Sequence, residues 1–145
     1  MLRVTILKGL PASGKTTWAL AQIKENGALK RVSKDDLRAM LDGGTWSRAN
    51  EKFILTARDR LIIAALEAGY SVLVDDTNLV SKHESHIREL VRGKAEVVVQ
   101  DFTGVPLETC LQRDRERANP VGERVIRRMY RDYLSSGNAG DAIGP

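Results

Sequence analysis

Short apolar runs alternate along the chain with longer stretches in which apolar side chains recur every three or four positions. The short runs are rich in Val, Ile and Leu and predict four strands, at residues 4–7, 29–33, 71–74 and 95–102. The longer stretches predict helices that end near Asn26, begin at Asp35 or Asp36, and cover 46–68, 81–92, 106–117 and 123–135. This alternation predicts an α/β fold, a doubly wound parallel sheet of about four strands with helices on both faces.

The longest predicted helix, residues 46–68, is interpreted as a packing element. We expect its core-facing stripe to consist of Phe53, Ala57, Leu61, Ala64 and Ala68. Trp18 and Trp46 are expected to be partly buried packing residues. The domain is expected to span residues 1–135, because residues 136–145 are glycine-rich, lack any period and predict a disordered tail.

A glycine-rich polar stretch follows the first strand directly. It reads Gly9-x-x-x-x-Gly14-Lys15-Thr16 and matches the phosphate-binding loop pattern, with a strand before it and a helix after it. The glycines let successive amides converge on an anion, Lys15 can reach the β and γ phosphates, and the Thr16 hydroxyl suits Mg²⁺. We therefore expect ATP or another nucleoside triphosphate (NTP) to bind at Gly9, Ala12, Ser13, Gly14, Lys15, Thr16 and Thr17.

Charged residues also follow the second and third strands. Asp35 and Arg38 lie one helical turn apart after the second strand, and Asp75-Asp76-Thr77-Asn78 follows the third. Both groups are expected at the carboxyl edge of the sheet, where open α/β sheets bind ligands. A Mg²⁺ ion on Thr16 would have Asp35 or Asp76 within reach through a water molecule.

The net charge is concentrated in one segment. The chain has 145 residues, 42% hydrophobic and 29% charged, with a formal charge of +4. Residues 113–131 contain seven arginines and three acidic residues, so this segment alone accounts for the excess. Such a cluster suits an anionic substrate, although a solvated helix face is the alternative. We expect Arg113, Arg115 or Arg117 to close over the donor phosphates.

The remaining composition is typical of a cytoplasmic protein with no membrane contact. No apolar run is long enough to span a bilayer, and the amino terminus lacks the apolar region of a signal peptide. The single cysteine, Cys110, cannot form an internal disulfide and is expected in the core. His83 and His86 are expected at the surface, because no third metal ligand lies nearby in the sequence.

A triphosphate loop can serve an ATPase, a GTPase switch or a kinase, and the residues after the second strand favour a kinase. Asp35 is placed to accept the proton of an acceptor hydroxyl. Arg38 could hold a phosphate of the acceptor by a bidentate contact. The arginine-rich segment would stabilise the charge of the transition state.

The chain resembles the kinase half of the bacteriophage polynucleotide kinase-phosphatase family over nearly its whole length. The resemblance lies in four motifs, Gly9-Leu-Pro-Ala-Ser-Gly-Lys-Thr-Thr-Trp18, Asp35-Asp36-Leu37-Arg38, Asp76-Thr77-Asn78-Leu79 and Arg127-Arg128-Met129-Tyr130. It implies transfer of the γ-phosphate of ATP or another NTP to the 5′-hydroxyl end of RNA or DNA, in nucleic-acid end repair. Asp35 would be the general base, and Lys15 and Arg117 would act on the donor phosphates.

The same resemblance implies an acceptor site. Arg38 would bind the phosphate on the 3′ side of the acceptor nucleotide, and Asp76 would support Arg38. Thr77 and Val121 would line the pocket. Arg115 remains the alternative to Arg117, since counting back from the last motif leaves a gap of one residue.

The chain has no Asp-x-Asp-Gly-Thr motif, so we do not expect removal of 3′-phosphates. It would act either as a lone kinase or as a module, with a ligase or phosphatase as partner protein. The second hypothesis is a small-molecule or nucleoside hydroxyl kinase of the same P-loop class. A third is a non-catalytic nucleotide-dependent switch or nucleic-acid adaptor, which would leave Asp35 without a role.

Overall fold

The computed structural model describes residues 1–135, and all four predicted strands lie in one parallel sheet. The strands are β1 (Arg3–Lys8), β2 (Leu29–Val32), β3 (Ser71–Asp75) and β4 (Glu96–Asp101), in the order β2-β3-β1-β4. Each neighbouring pair is parallel. The strand order reverses beside β1, so a ligand crevice is expected at the carboxyl end of this strand.

Six helices connect and cover the strands within the described residues. They are α1 (Lys15–Glu25), α2 (Lys34–Asp42), α3 (Arg48–Glu67), α4 (Ser81–Leu90), α5 (Leu107–Arg115) and α6 (Glu123–Tyr133). Serine caps fix two of the starts, because Ser33 Oγ accepts from the amide of Asp36 and Ser47 Oγ from that of Asn50. The α/β prediction, with helices on both faces of a four-stranded parallel sheet, is confirmed.

The side chains of the inner strands alternate between two cores. The face covered by α3 and α4 buries Val4, Ile6, Val32, Ile62, Leu66, Val72, Val74, Ile87 and Val91. The opposite face buries Leu7 and Leu73 against Ala19 of α1. A third cluster joins Leu10, in the loop after β1, to α5 and α6 through Cys110 and Ile126. Both faces of the sheet are therefore packed, and α5 and α6 are joined to the loop after β1.

The buried face of α3 differs from the predicted one. Phe53 and Leu61 of the expected stripe are 60% and 45% exposed. The helix instead buries Ile54, Arg58, Ile62 and Leu66. Both stripes fit a helical period and lie one residue apart, and the arginine in the middle of the second made it look polar. That arginine is tolerated in the core because Asp59 and Asp76 pair with it.

The two tryptophans behave differently. Trp18 packs edge-on against Phe102 with ring centroids 6.0 Å apart, as a packing residue should. Trp46 is 67% exposed, so the expectation of partial burial was wrong.

Cys110 is fully buried as predicted. None of the helices within residues 1–135 has the length and apolarity needed to cross a membrane. The tail predicted for residues 136–145 lies outside the described residues.

Candidate active site

The loop between β1 and α1 has the geometry of an anion-binding loop. A Cβ at Gly9 would lie 2.8 Å from Ser13 Oγ and 2.9 Å from Phe102 Cβ, so only glycine fits there. Gly14 has φ 102° and Ala12 φ 63°, which are left-handed angles that bend the loop. The Gly9 amide donates to Thr77 O at 3.0 Å and so ties the loop to the end of β3. The loop is thus held in a tight turn by its own residues and by the end of β3.

Lys15 lies inside this loop. Its Nζ donates to Leu10 O at 2.6 Å and to Gly9 O at 2.9 Å. Burial lowers the pKa of the ammonium group to about 8, although Asp75 opposes the shift. No side chain caps α1, and no acidic residue lies in its first turn. The first amides of α1 are therefore available to a phosphate, together with the buried Lys15 ammonium group.

A cavity of about 870 Å³ opens at this edge of the sheet. It brings together most of the residues predicted for the site: Ala12, Ser13, Gly14, Lys15, Thr16, Thr17, Asp35, Asp76, Thr77, Arg113 and Arg117. Gly9, Arg38 and Val121 do not line it in the part of the chain that the structure describes. Gly9 lies behind the loop, Arg38 lies beside Asp35, and Val121 is exposed between α5 and α6.

Asp75 is the carboxylate beside the Thr16 hydroxyl. Thr16 Oγ1 donates to Asp75 Oδ2 at 2.7 Å, and Arg31 Nε donates to the same oxygen at 2.7 Å. The sequence prediction paired Thr16 with Asp35 or Asp76 and gave Asp75 no role. A hydroxyl and a carboxylate are the hard oxygen ligands that Mg²⁺ prefers. Residues 1–135 contain no group of three acidic, His or Cys side chains arranged around a metal, so phosphate and water oxygens would have to supply the rest.

Asp35 and Arg38 form one charged pair at the start of α2. The Asp35 side chain is 80% exposed, and Arg38 Nη1 donates to its Oδ1 at 2.5 Å. The other side of the guanidinium binds Glu51 of α3 through Nε at 2.6 Å and Nη2 at 2.7 Å. This contact raises the pKa of Arg38 and lowers that of Glu51. Both charges are thereby held in place.

Asp76 has other partners than the Arg38 that the resemblance implied. Its Oδ1 accepts from the backbone amide of Lys34 at 2.9 Å, and its Oδ2 accepts from Arg58 Nη1 at 3.3 Å. Burial raises the pKa of Asp76, while the charge and amide of Lys34 and the charge of Arg58 oppose the rise. The carboxylate thus joins the end of β3 to the first residue of α2.

The segment between α5 and α6 is held by a buried carboxylate. Asp114 accepts from the amides of Val121 and Gly122 at 2.9 Å each, and Arg117 Nη1 lies 3.4 Å from it. Arg117 lines the cavity and Arg115 does not, whereas Arg115 lies 3.8 Å from Glu123. Of these two arginines, Arg117 is therefore the one placed to contact a ligand in the cavity. Arg113 is close to the loop, since a Cβ at Gly14 would lie 3.7 Å from its Nη1.

The two histidines lie on α4. His86 is exposed as predicted, and its Nε2 lies 2.6 Å from Asp59 Oδ2. His83 is half-buried, and burial with the nearby charges of Lys34 and Arg58 lowers its pKa to about 4. His83 is therefore neutral at physiological pH.

Four residues of this network were not assigned a role from the sequence: Asp75, Glu51, Arg58 and Asp114. Asp75 stood beside an assigned carboxylate, and only contact with Thr16 distinguishes it. Asp114 lies four residues after Cys110, which was expected in the core. A charged residue on an apolar helix face is the signal that could have found Asp114. Arg58 and Glu51 gave no such signal, because the predicted apolar face of their helix contained neither of them.

The phosphate-binding loop lies where the strand order of the parallel sheet reverses, and a carboxylate and arginines line the same cavity. This combination defines a P-loop kinase-type domain. The chain belongs to the AAA_33 family, because a family model described as an AAA domain matches residues 4–135. An L-seryl-tRNA(Sec) kinase of Methanococcus maripaludis is 31% identical over 135 residues. That match covers 91% of this chain and 52% of the relative, so the chain spans about half the length of this protein.

Solved structures show the same fold. A chain in the structure of the Pnkp1/Rnl/Hen1 RNA repair complex superposes with a TM-score of 0.83 at 23% identity, over 97% of this chain and 46% of that one. The APS kinase CysC of Mycobacterium tuberculosis, solved with AMPPNP and APS, superposes with a TM-score of 0.63 at 22% identity. That match covers 78% of this chain and 68% of that one.

Proposed function

We propose that this chain is a polynucleotide 5′-hydroxyl kinase domain that transfers the γ-phosphate of ATP, or of another NTP, to an RNA or DNA end. The observation that carries the proposal is the pair Asp35 and Arg38 on α2: Asp35 lines the same cavity as the phosphate-binding loop, and Arg38 binds Asp35 from the side. A carboxylate suits a hydroxyl acceptor, and a guanidinium beside it suits a phosphate on the same acceptor. A polynucleotide end offers both groups.

In the proposed reaction the acceptor oxygen attacks the γ-phosphorus, and the bond from this phosphorus to the bridging oxygen breaks, so that ADP leaves. Asp35 accepts the proton of the hydroxyl as the new bond forms. Arg38 fixes the acceptor through its phosphate, which aligns the hydroxyl with the phosphorus. Asp76, Thr77 and Val121 complete the acceptor side, with Asp76 buried beneath it.

The donor phosphates lie, in this proposal, against the loop residues Ala12 to Thr17. Gly9, whose amide donates to Thr77 O, lies behind them and shapes the loop. Lys15 and Arg117, with Arg113 beside them, neutralise charge on the transferring group. Thr16 and Asp75 would hold Mg²⁺, with Asp35 or Asp76 contributing through water. The ion would neutralise phosphate charge when bound.

The positive charge of α5 and α6 supports a polymer as acceptor. Arg113, Arg124 and Arg128 have no ion-pair partner within residues 1–135, whereas Arg127 pairs with Glu123 and Glu108. Arg113 lines the cavity, and arginines without an ion-pair partner suit a phosphate backbone. The likeness to a chain of an RNA repair complex points the same way and supports a ligase or phosphatase as partner protein. A cytoplasmic location, with Cys110 reduced, belongs to this proposal.

The second candidate is a kinase for another hydroxyl acceptor of the same P-loop class. The identity with L-seryl-tRNA(Sec) kinase favours it specifically, and the fold shared with an APS kinase is compatible with a nucleotide-sized acceptor. Both hypotheses use Asp35 and Arg38 in the same way. They differ in whether the hydroxyl belongs to a nucleic-acid end, to an amino acid on tRNA or to a small molecule.

A competition assay separates these acceptors. Transfer from γ-labelled ATP is measured with a 5′-hydroxyl oligonucleotide, seryl-tRNA and free nucleosides, alone and in mixtures. We expect the oligonucleotide to suppress transfer to every other acceptor. Dominance of seryl-tRNA or a nucleoside would overturn the proposal in favour of the second candidate, and tight ATP binding without any transfer would support a non-catalytic switch.

Two variants test the assigned roles. Asp35→Asn should abolish transfer and leave ATP binding nearly intact, whereas Asp132→Asn on exposed α6 serves as the matched control. Arg38→Ala should chiefly raise the acceptor KM. Full activity of Asp35→Asn would remove Asp35 from the base role. A dominant loss of ATP affinity in Arg38→Ala would mean that donor and acceptor pockets are exchanged.

A further inference from the structure

Arg58 is a fully buried cation behind the acceptor side of the cavity. Its side chain is 1% exposed, in the middle of the buried face of α3. A guanidinium stays charged in proteins, and burying it is unfavourable unless it is paired. A hydrophobic residue at this place would complete the core of α3 more simply. The arginine therefore needs an explanation beyond packing.

The guanidinium of Arg58 binds two carboxylates. Nη1 reaches Asp76 Oδ2 at 3.3 Å, while Nη2 and Nε reach Asp59 Oδ1 at 3.0 and 3.3 Å. Asp59 in turn lies 2.6 Å from His86 of α4. Arg58 is thus fixed from α4 on one side and is directed at Asp76 on the other.

Asp76, which Arg58 holds in place, also contacts the first residue of α2. Its second oxygen, Oδ1, accepts the amide of Lys34, the first residue of α2, at 2.9 Å. The first amides of a helix have no partner within the helix, so this contact holds the first residue of α2 in place, together with the Ser33 cap. Asp35 is the next residue and Arg38 lies one turn further on. A shift of the Lys34 amide would therefore move both.

We propose that Arg58 is a positioning residue, which holds Asp76 against the Lys34 amide and thereby sets the places of Asp35 and Arg38. This inference rests on the proposed function, in which those two residues bind and deprotonate the acceptor. Arg58 itself touches no substrate, because it is buried beneath Asp76. Its loss should affect the acceptor side of the reaction and spare the phosphate-binding loop, which is tied to Thr77 instead.

Amide hydrogen exchange tests whether Arg58 holds Asp76 against the Lys34 amide, and it needs no acceptor. The amide of Lys34 is followed by NMR in the full chain for the wild type, Arg58→Met, Arg58→Lys and the control Arg60→Met, an exposed arginine on the same helix. We expect Lys34 exchange to rise by about tenfold or more in Arg58→Met, to rise less in Arg58→Lys, and to stay unchanged in Arg60→Met. The amide of Val72, in the sheet, should exchange as in the wild type.

Kinetics test the functional part with γ-labelled ATP and a 5′-hydroxyl oligonucleotide. Arg58→Lys is expected to raise the acceptor KM by about tenfold while the ATP KM changes by less than about twofold. In an Asp76→Asn background, adding Arg58→Lys should raise the acceptor KM much less than it does in the wild type, because the two residues act through one contact. If the role of Arg58 were purely structural, the acceptor KM and the ATP KM would change together. The effects of the two substitutions would then add in the double variant.

The outcomes separate this inference from the proposed function. If the wild type phosphorylates no acceptor, the proposed function fails, and the exchange data still decide the role of Arg58. Unchanged Lys34 exchange in folded Arg58→Met or Arg58→Lys, or an equal rise at Val72, would overturn the inference. If Arg58→Met does not fold, the comparison of Arg58→Lys with Arg60→Met decides.

Discussion

The depressed pKa of Lys15 makes nucleotide binding depend on pH in a calculable way. Burial lowers this pKa from 10.5 to about 8 in the free protein. A bound triphosphate stabilises the charged ammonium, so affinity is fully present below about pH 8 and is lost as the pH rises through it. Between pH 7 and pH 9 the charged fraction falls from about nine tenths to about one tenth. The expected loss of affinity is thus about tenfold, or about 1.4 kcal/mol.

The stability of the free protein should move in the opposite direction. The unfolded chain keeps Lys15 protonated up to about pH 10.5, so it binds more protons than the folded chain above about pH 8. Lys15 therefore destabilises the folded chain below about pH 8, and this destabilisation disappears as the pH rises to about 10.5, so that the free energy of unfolding increases. Comparison with Lys15→Met isolates this contribution from all other titrating groups.

The assay is titration of ATP with Mg²⁺ held constant, at several values from pH 7 to pH 9, in the wild type and in Lys15→Arg. The guanidinium does not titrate in this range, so the ratio of the two affinities removes pH effects that they share. Flat wild-type affinity, or an equal slope in Lys15→Arg, would refute the assignment of a neutralising ammonium inside the loop.

Three further predictions concern the residues around the cavity. Glu51→Gln should raise the acceptor KM by several-fold with the ATP KM unchanged, because it frees Arg38 from a bidentate contact; steady-state kinetics in both substrates check this. Asp114→Asn should weaken the hold on the loop that carries Arg117, lowering kcat and accelerating proteolysis near residue 120, and unaltered cleavage would count against it. Asp75→Asn should raise the Mg²⁺ concentration needed for half-maximal activity by about tenfold or more, measured by metal titration.

The parts of the fold that were predictable are those encoded locally. The strand, the glycines and Lys15 of the phosphate-binding loop lie within one stretch of sequence, and the parallel sheet follows from the alternation of elements. Asp35 and Asp76 could be brought to one cavity because parallel strands end at the same edge.

The contacts that orient these side chains could not be predicted in this way. Glu51 reaches Arg38 and Arg58 reaches Asp76 across separate elements, and no local period encodes which residues face each other there. The buried face of α3 was predicted wrongly for the same reason. A charged residue in a helical stripe indicates solvent unless its distant partner is known, and the partner of Arg58 follows the next strand along the chain.

The central claim is transfer of phosphate to a 5′-hydroxyl end, and its most direct test is label transfer from γ-labelled ATP with Mg²⁺. Matched RNA and DNA oligonucleotides that end in a 5′-hydroxyl or a 5′-phosphate serve as acceptors, and Asp35→Asn serves as the control. The account predicts label on the hydroxyl ends alone, and none with Asp35→Asn. No label on any oligonucleotide, from protein that binds ATP, would contradict it.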